Sequence, residues 1–420
     1  MKNTSLIKKY FNNNSLSWHF IWIFLGKGIY AATQWGILIV LVKLGNPQVV
    51  GQYGYALAIT APAVALLNMD LRSLLASDIK DNFSFQEYLS TRMVTICFFL
   101  IVTLIIIIVS SFSTKLSLVI LCVAMAKAIE NISDLLFGFF QKNEKMRIIA
   151  TSEILKGIFS LIGVTIVYSL TKSLIISLCC VVVSRSVVLY FYDRKQVTAM
   201  LCDKKIFFSF DTIVIKRIIV MALPVGVSSL IISFGTNFPR YLIEHYYSEE
   251  ILGYFVALFY FIAAGDVLFL ALRQSTIHRL ADYYRINTRK FLLLLIQTIL
   301  IALTIGAIVI IFLFFFSEKL ITIIYDENYV KYSDVLIWLM LAGTARYIFG
   351  FIFSALIVMR SIRMQMVIIC VSTVLGITAA WFFIPNFGLV GAAWSFLITA
   401  CANIFFGSIV IMHTIRSLRV

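Results

Sequence analysis

Nine charged residues lie deep inside segments that are otherwise apolar enough to cross a membrane. Five of them are basic, and three of these five, Lys27, Lys127 and Arg346, lie about 13–17 Å from a segment end in a helix, close to the middle of a bilayer. An ionisable group at that depth costs about 2.5–3.5 kcal/mol to insert, so it usually faces a cavity or a charged partner. Three cations at mid-depth suit an anionic ligand that crosses the protein. Pairing of each cation with a carboxylate is the structural alternative.

One predicted membrane helix carries a stripe of polar residues. Lys127, Glu130, Asn131 and Asp134 follow each other at spacings of three and four, which puts them on one helical face. A polar face on a membrane helix must be covered by protein or line a water-filled cavity. The stripe therefore predicts a polar interior on this side of the helix.

The short loop 141–147 predicts that this helix packs antiparallel to the next one. Counting outward from the loop places Asp134 level with Glu153, and Glu130 level with Lys156. The second match predicts an ion pair. The first would bring two carboxylates together, which raises one pKa and can hold a proton near neutral pH. Neutralisation of Asp134 and Glu153 by nearby bases is the alternative that the sequence leaves open.

Other charges at helix ends have a simpler interpretation. Arg92, Lys216 and Arg217 lie near the inner ends of predicted helices, where a long side chain can reach the lipid headgroups. We expect these three side chains to extend towards the membrane surface.

Sequence patterns of enzymes are missing. The chain has no Gly-x-x-x-x-Gly-Lys-Ser/Thr, His-Glu-x-x-His, Gly-x-Ser-x-Gly or Cys-x-x-Cys run, and its four histidines are isolated. We therefore predict no catalytic residue, no metal site and no cofactor. A membrane protein without a nucleotide site that moves a ligand across the bilayer depends on antiport of a cation, H+ or Na+, or on the concentration difference of the ligand itself.

The composition indicates a protein surrounded by lipid. Of the 420 residues, 61% are apolar and 13% are charged, with mean hydropathy +0.98, whereas a soluble domain carries about 25% charged residues. The net charge of +15 does not indicate nucleic-acid binding, because the basic residues follow the loops between apolar segments.

Twelve apolar stretches reach the length of about 20 residues that a membrane helix needs. The first is too long for a signal-peptide core. The stretches are 18–42, 51–69, 88–109, 116–140, 148–169, 173–192, 213–234, 251–272, 291–316, 335–359, 364–384 and 389–413.

Lysine and arginine predict the orientation. With a cytoplasmic N-terminus, the inner segments carry 21 basic residues and the outer loops carry 6, which is the bias expected of cytoplasmic loops. We expect a multi-pass protein of the bacterial inner membrane with both termini in the cytoplasm.

A weak internal repeat predicts two lobes. Val50–Leu57 resembles Leu252–Leu258, and each run opens the second helix of its half. The polar linker 193–212 divides the chain into lobes 1–197 and 198–420. Parallel repeats indicate a substrate cavity between them. The predicted fold is an all-α polytopic membrane protein with about 12 helices in two six-helix lobes.

Four short motifs carry a family resemblance. They are Val50–Tyr53, Leu71–Asp78 with Tyr88–Arg92, Pro239–Glu244 followed by Leu252–Tyr254, and Gly388–Trp394. In this order they resemble the polysaccharide transporter family, the Wzx-type O-antigen flippases of the multidrug/oligosaccharidyl-lipid/polysaccharide exporter superfamily. The resemblance implies an alternating-access exporter whose cargo is an undecaprenyl-pyrophosphate-linked oligosaccharide for lipopolysaccharide synthesis. It also implies partnership with polysaccharide polymerase and chain-length proteins.

A pyrophosphate needs basic groups, and sugars need hydrogen bonds from amides such as Asn237. The substrate-binding candidates are Lys27, Lys127, Arg185, Arg240, Arg346, Gln34 and Asn131. The ion-coupling candidates are Glu130, Asp134, Glu153, Lys156 and Asp266.

Two other functions are compatible with the sequence. A multidrug or cation antiporter would share the fold, but it would favour carboxylates over bases, whereas the deep set has five bases and four acids. A membrane polysaccharide polymerase or ligase is expected to carry a large outer loop, and the predicted outer loops do not exceed about 16 residues.

Overall fold

The computed structural model describes residues 13–78, 80–201 and 208–417. The predicted basic N-terminus before Asn13 and the middle of the predicted linker, 202–207, lie outside these residues. The helices are α1 Asn13–Leu44, α2 Pro47–Asn68, α3 Leu71–Ser77, α4 Phe85–Val109, α5 Thr114–Lys142, α6 Met146–Thr171, α7 Leu174–Val188, α8 Arg194–Met200, α9 Thr212–Tyr246, α10 Glu249–Ile286, α11 Thr288–Ile324, α12 Ser333–Val358 and α13 Ile362–Ser417. A π-helical turn, Leu189–Asp193, joins α7 to α8, and a 3-10 helix, Glu327–Tyr332, precedes α12.

Membrane-spanning helices dominate the described residues. Eleven continuous helical stretches there are long and apolar enough to cross a bilayer, and the last one has 54 residues. Gly388 breaks that stretch, with φ 59° and ψ −133°, three residues after Pro385. Each part exceeds the length of about 20 residues that one crossing needs. The prediction of an all-α protein with about 12 membrane helices is confirmed.

Several helices extend well beyond the predicted boundaries. α10 continues to Ile286, although the apolar run ends at 272, and α9 continues to Tyr246 rather than 234. Hydropathy marks where lipid ends and not where the helix ends, because a helix can continue into water while its side chains become polar. The predicted loops 235–250 and 273–290 are therefore mostly helical.

The turn between α3 and α4 is organised by Asp78. Its carboxylate accepts hydrogen bonds from the backbone nitrogens of Asn82 (3.1 Å) and Phe83 (3.2 Å) and from the Tyr88 hydroxyl (3.3 Å). Burial acts to raise the Asp78 pKa, but these hydrogen bonds favour the ionised form, and the pKa is lowered overall. An ionised Asp78 thus holds the turn that leads into α4.

Two compact units make up the fold. The first contains residues up to Ile37 together with 67–111 and 121–226, and the second contains 38–66, 112–120 and 227–420. Most of α2 therefore packs with the second half of the chain. The division into lobes at residue 197 stays a prediction.

The two copies of the internal repeat meet within the second unit. A methyl group added at Gly51 would lie 1.7 Å from the carbonyl oxygen of Glu249, and one added at Gly253 would lie 1.8 Å from that of Pro47. α2 and α10 therefore cross with their backbones in contact, and each supplies a glycine to the other. Only glycine allows so close an approach.

Side chains reinforce this crossing. Gln48 and Gln52 on α2 donate hydrogen bonds from Nε2 to Glu249 Oε2 on α10, over 3.2 and 2.8 Å. Gln52 is buried, at 3% exposed, so its bond to a carboxylate is partly shielded from water. Within the second unit, the repeat forms a close helix contact.

Candidate functional site

Glu130 on α5 is the centre of a polar cluster in the first unit. Its carboxylate accepts hydrogen bonds from Lys127 Nζ at 2.9 Å, Arg185 Nη1 at 3.0 Å and the Tyr30 hydroxyl at 3.0 Å. Two cations thus share one carboxylate, and the cluster carries a net charge of about +1 when all three groups are ionised. We call Tyr30, Gln34, Lys127, Glu130 and Arg185 the Glu130 cluster.

Arg185 on α7 ties this cluster to α1. Its Nη2 donates to the Tyr30 hydroxyl at 3.1 Å and lies 3.4 Å from Gln34 Oε1, while Nη1 also donates to the Ala126 carbonyl at 3.2 Å. The Arg185 side chain is 5% exposed, whereas that of Glu130 is 32% exposed. The cluster is thus held by a buried arginine and opens to its surroundings at Glu130.

Two of the three mid-depth cations have carboxylate partners. Lys127 pairs with Glu130, and in the second unit Arg346 Nη2 lies 2.9 Å from Asp266 Oδ2. The structural alternative is therefore realised at both positions. The basic side chains are nevertheless 32% and 46% exposed, so a ligand could still reach them.

Lys27 on α1 differs from these two. Lys27 has no ion-pair partner within the described ranges. Its positive charge acts on the Glu153 carboxylate, and so do the positive charges of Arg72 and Lys156. Glu153 Oε2 is buried and lacks a hydrogen-bond partner there. Lys27 can therefore still form an ion pair, and Glu153 Oε2 can still accept a hydrogen bond.

The structure pairs Asp134 with two arginines, which is the alternative that the sequence left open for this carboxylate. Asp134 Oδ1 lies 3.3 Å from Arg72 Nη1, and Asp134 Oδ2 lies 4.0 Å from Arg92 Nη2. Counting along the α5–α6 hairpin considered only two helices, whereas Arg72 and Arg92 come from α3 and α4. A proton shared by Asp134 and Glu153 stays a prediction.

The predicted ion pair between Glu130 and Lys156 is wrong. Lys156 Nζ instead lies 2.5 Å from Asp193 Oδ2, with side chains 4% and 0% exposed, and 4.9 Å from the centre of the Phe137 ring. Asp193 is the first residue of the predicted polar linker 193–212. The sequence feature that marks it is its position directly after the apolar stretch 173–192 and directly before Arg194.

Arg92 does not extend to the membrane surface as predicted, because its side chain is 0% exposed. Its Nη1 donates to the Asn68 carbonyl at 3.1 Å. The Asn68 amide in turn donates to Asn131 Oδ1 at 2.8 Å, and Asn131 Nδ2 donates to the Lys127 carbonyl at 3.0 Å. Asn131 is therefore bonded within the protein on both sides of its amide.

Arg240 on α9 has no carboxylate partner among the described residues. Its Nη1 donates to Asn237 Oδ1 at 2.9 Å, and its guanidinium lies 4.9 Å from the centre of the Phe259 ring. The described ranges place no carboxylate within 4.0 Å of it, and its buried Nε lacks a hydrogen-bond partner there. Arg240 suits an anionic ligand better than any paired base does.

A cavity of about 310 Å³ lies inside the second unit. Asp266, Arg273 and Arg346 line it together with six aromatic residues, Phe259, Phe269, Tyr347, Phe349, Phe353 and Phe396. Arg273 is not among the predicted site residues, because the apolar stretch ends at 272 and hydropathy predicts a loop there, whereas α10 continues to Ile286. The cavity combines charged groups with an aromatic wall.

Comparison with known proteins identifies the family. Residues 18–277, more than half of the chain, match the family model described as polysaccharide biosynthesis protein. The capsular polysaccharide biosynthesis protein CapF of Staphylococcus aureus is 28% identical over 320 residues, which cover 76% of this chain and 80% of CapF.

Solved transporters share the fold. The lipid II flippase MurJ in an inward closed conformation superposes with a TM-score of 0.73 at 12% identity, over 95% of this chain and 88% of MurJ. An inward-facing multidrug resistance MATE family transporter of the MOP superfamily gives a TM-score of 0.68 at 15% identity, over 93% and 96%. The chain thus belongs to the polysaccharide biosynthesis protein family, as a multi-pass membrane protein with the fold of MATE and MurJ transporters.

Proposed function

We propose that this protein is a flippase that carries an undecaprenyl-pyrophosphate-linked oligosaccharide across the cytoplasmic membrane. The repeat unit would move from the cytoplasmic to the periplasmic leaflet and serve the synthesis of a surface polysaccharide. The observation that carries the proposal is the surplus of cations over carboxylates at the polar sites, in a chain of this family and fold.

Charge balance favours an anionic cargo. Arg240 has no carboxylate within 4.0 Å in the described ranges, and its buried Nε makes no hydrogen bond there. An uncompensated cation in a low-dielectric interior is costly, so such a site gains from an anionic ligand. Arginine also binds phosphate oxygens through two parallel hydrogen bonds. A lipid pyrophosphate provides both the charge and the oxygens.

Sugar recognition is assigned to Gln34 rather than Asn131. Gln34 Nε2 is buried and has no hydrogen-bond partner among the described residues, whereas both sides of the Asn131 amide are bonded within the protein. A sugar hydroxyl would satisfy the free amide hydrogens of Gln34. Asn237 is in turn occupied by Arg240 and orients that guanidinium.

Two observations bear on the kind of polysaccharide. The motifs resemble O-antigen flippases, while the relative from Staphylococcus aureus is described as a capsular polysaccharide protein. A lipid-linked repeat unit would suit either polymer, and polymerase and chain-length proteins would receive it. We therefore propose a lipid-linked repeat unit as cargo for either polymer.

Glu153 is the best-placed group for coupling to H+ or Na+. Its Oε2 atom is buried and has no hydrogen-bond partner among the described residues, and the charges of Lys27, Arg72 and Lys156 act on it against that of Glu130. An anionic cargo near Lys27 would compete with Glu153 for the positive charge of that lysine. In proteoliposomes, Glu153→Gln should lose the dependence of transport on an imposed pH gradient. Full gradient dependence in this variant would exclude Glu153 as the coupling group.

Deletion cells test the flippase directly. They should accumulate lipid-linked oligosaccharide on the cytoplasmic side, and wild-type protein should relieve the accumulation. Lys127→Ala and Arg240→Ala should restore transport at least about tenfold less well, since each removes a charge-assisted contact of about 1.5–3 kcal/mol. Lys142→Ala is the matched control, because Lys142 pairs on the surface with Asp81, which is 77% exposed.

Other outcomes favour the alternative functions. Unpolymerised repeat units at the outer surface of deletion cells would indicate a polymerase or ligase. Sensitivity of these cells to cationic drugs without a polysaccharide defect would indicate a multidrug antiporter. A MATE protein that shares the fold is named as a multidrug resistance transporter. Normal rescue by both Lys127→Ala and Arg240→Ala would contradict the proposed cationic site.

A further inference from the structure

The cavity of the second unit carries a charge that the fold does not balance. Arg346 is paired with Asp266 at 2.9 Å. Arg273 lies seven residues after Asp266 on α10, on the same face of that helix, and it has no ion-pair partner within 4.0 Å in the described ranges. Two guanidinium groups and one carboxylate leave a net charge of about +1 inside the cavity.

Two polar atoms of the cavity lining have no partner. Arg273 Nε and Asn403 Oδ1 are both buried and make no hydrogen bond within the described part of the chain. Most buried polar atoms in folded proteins form a hydrogen bond, and these two atoms can still form one with a ligand. The arginine nitrogen requires an acceptor and the amide oxygen requires a donor. A ligand that carries an anionic oxygen and a hydroxyl group satisfies both atoms.

The lining is built around the Arg273 side chain. A methyl group added at Gly350 on α12 would lie 2.9 Å from Arg273 Nη1, so the absence of a side chain there leaves room for the guanidinium. Tyr347 stacks on Phe269 with ring centres 4.3 Å apart and donates a hydrogen bond to the Ile262 carbonyl at 2.7 Å. The aromatic wall is thus fixed before a ligand arrives.

The composition of the cavity selects a class of ligand. Phosphate suits the two arginines, because a guanidinium donates two parallel hydrogen bonds to phosphate oxygens. The six aromatic residues of the wall suit a hydrocarbon group next to that phosphate. A volume of about 310 Å³ is at the lower end for ligand sites, so it holds a headgroup and the beginning of a chain rather than a whole lipid.

We propose that the second-unit cavity binds the phosphate headgroup of an anionic lipid, with Arg273 and Arg346 on the phosphate, Asn403 on a hydroxyl and the aromatic wall on the first carbons of the chain. The inference rests on the proposed function in one respect, since the lipid carrier of the cargo has this chemistry. Membrane phospholipids with a hydroxylated headgroup share it, and the experiment distinguishes the two sources.

Purified full-length protein in detergent tests the site without transport. Undecaprenyl phosphate, phosphatidylglycerol, phosphatidylcholine and inorganic phosphate are titrated separately, and binding is read by native mass spectrometry and by thermal stabilisation. We expect the two anionic lipids to bind at least about tenfold more tightly than phosphatidylcholine or inorganic phosphate. Preference between undecaprenyl phosphate and phosphatidylglycerol identifies the source. Equal binding of phosphatidylcholine or of inorganic phosphate overturns the proposal.

Variants locate the binding. Arg273→Gln should weaken anionic lipid binding about tenfold or more, Arg273→Lys should recover part of it, and Arg279→Gln should leave it unchanged. Arg279 is the matched control, because it lies on the same helix and is exposed. Unfolding temperatures without lipid show that the variants are folded. Unchanged binding in folded Arg273→Gln, or equal loss in Arg279→Gln, overturns the assignment.

The two proposals fail separately. Wild-type protein that binds anionic lipid in this way but does not relieve the accumulation of lipid-linked oligosaccharide would refute the flippase and leave the site. Transport by wild-type protein that binds no anionic lipid would refute the site and leave the flippase.

Discussion

Lys156 and Asp193 form an ion pair enclosed by protein, with exposures of 4% and 0%. Such a pair stabilises only while both members are present, because removal of one leaves a buried charge without a partner. Lys127 and Glu130, at 32% exposure each, retain access to a ligand or to water. At the scale of single residues, exposure therefore separates the structural pair from the pair that is suited to binding.

Thermal unfolding in detergent tests this separation. We expect Lys156→Met to lower the free energy of unfolding by about 3–5 kcal/mol, the usual cost of an orphaned buried charge. The double variant Lys156→Met/Asp193→Leu should recover much of that loss. Lys142→Met should cost less than about 1 kcal/mol, since Lys142 forms a surface pair. A double variant no more stable than Lys156→Met would show that the charge of Asp193 is not the cause.

The polar stripe of α5 was predictable from sequence, but the partners of its residues were not. Spacings of three and four residues identify one helical face, and Glu130, Asn131 and Asp134 do make polar contacts. Their partners come from α1, α2, α3, α4 and α7, whose positions depend on tertiary packing. Hydropathy also failed at Arg273, because it detects lipid contact rather than the end of α10.

At the scale of helices, the crossing of α2 and α10 gives a reason for the internal repeat. Gly51 contacts the α10 backbone and Gly253 contacts the α2 backbone, in a reciprocal way. Membrane helices have little hydrophobic drive to associate, so close packing at small residues supplies much of their attraction. The few matching residues of the repeat lie where the two helices touch.

Alanine at these glycines should disturb the crossing. An added methyl group would meet backbone oxygen atoms at 1.7 and 1.8 Å, and backbone cannot move aside as a side chain can. We expect Gly51→Ala and Gly253→Ala each to reduce stability by about 1–3 kcal/mol, the usual cost of overpacking. Gly28→Ala is the matched control, because nothing lies within 4 Å of a methyl group there. Equal unfolding temperatures for all three variants would contradict the close crossing.

At the scale of the whole molecule, the sides of the membrane depend on the number of crossings. The described residues contain eleven helical stretches that could cross, and an odd number of crossings would put the two termini on opposite sides. The last stretch has 54 residues, about 80 Å of helix, whereas the hydrocarbon core is about 30 Å thick. One crossing cannot use that length, and the break at Gly388 divides it into two.

Reporter fusions test the twelfth crossing and the orientation together. The bias of 21 to 6 basic residues predicts cytoplasmic termini, because basic residues are retained on the cytoplasmic side. Fusions after residues 112, 245, 325 and 387 should therefore report the periplasm. Fusions after 143, 201 and 417 should report the cytoplasm, and the first two serve as controls for the inner loops. The fusions after 387 and 417 decide the number of crossings. If α13 crossed the membrane only once, both ends of its second half would lie on the same side of the membrane. A cytoplasmic signal at any two of 112, 245 and 325, or matching signals at 387 and 417, would exclude twelve crossings with cytoplasmic termini.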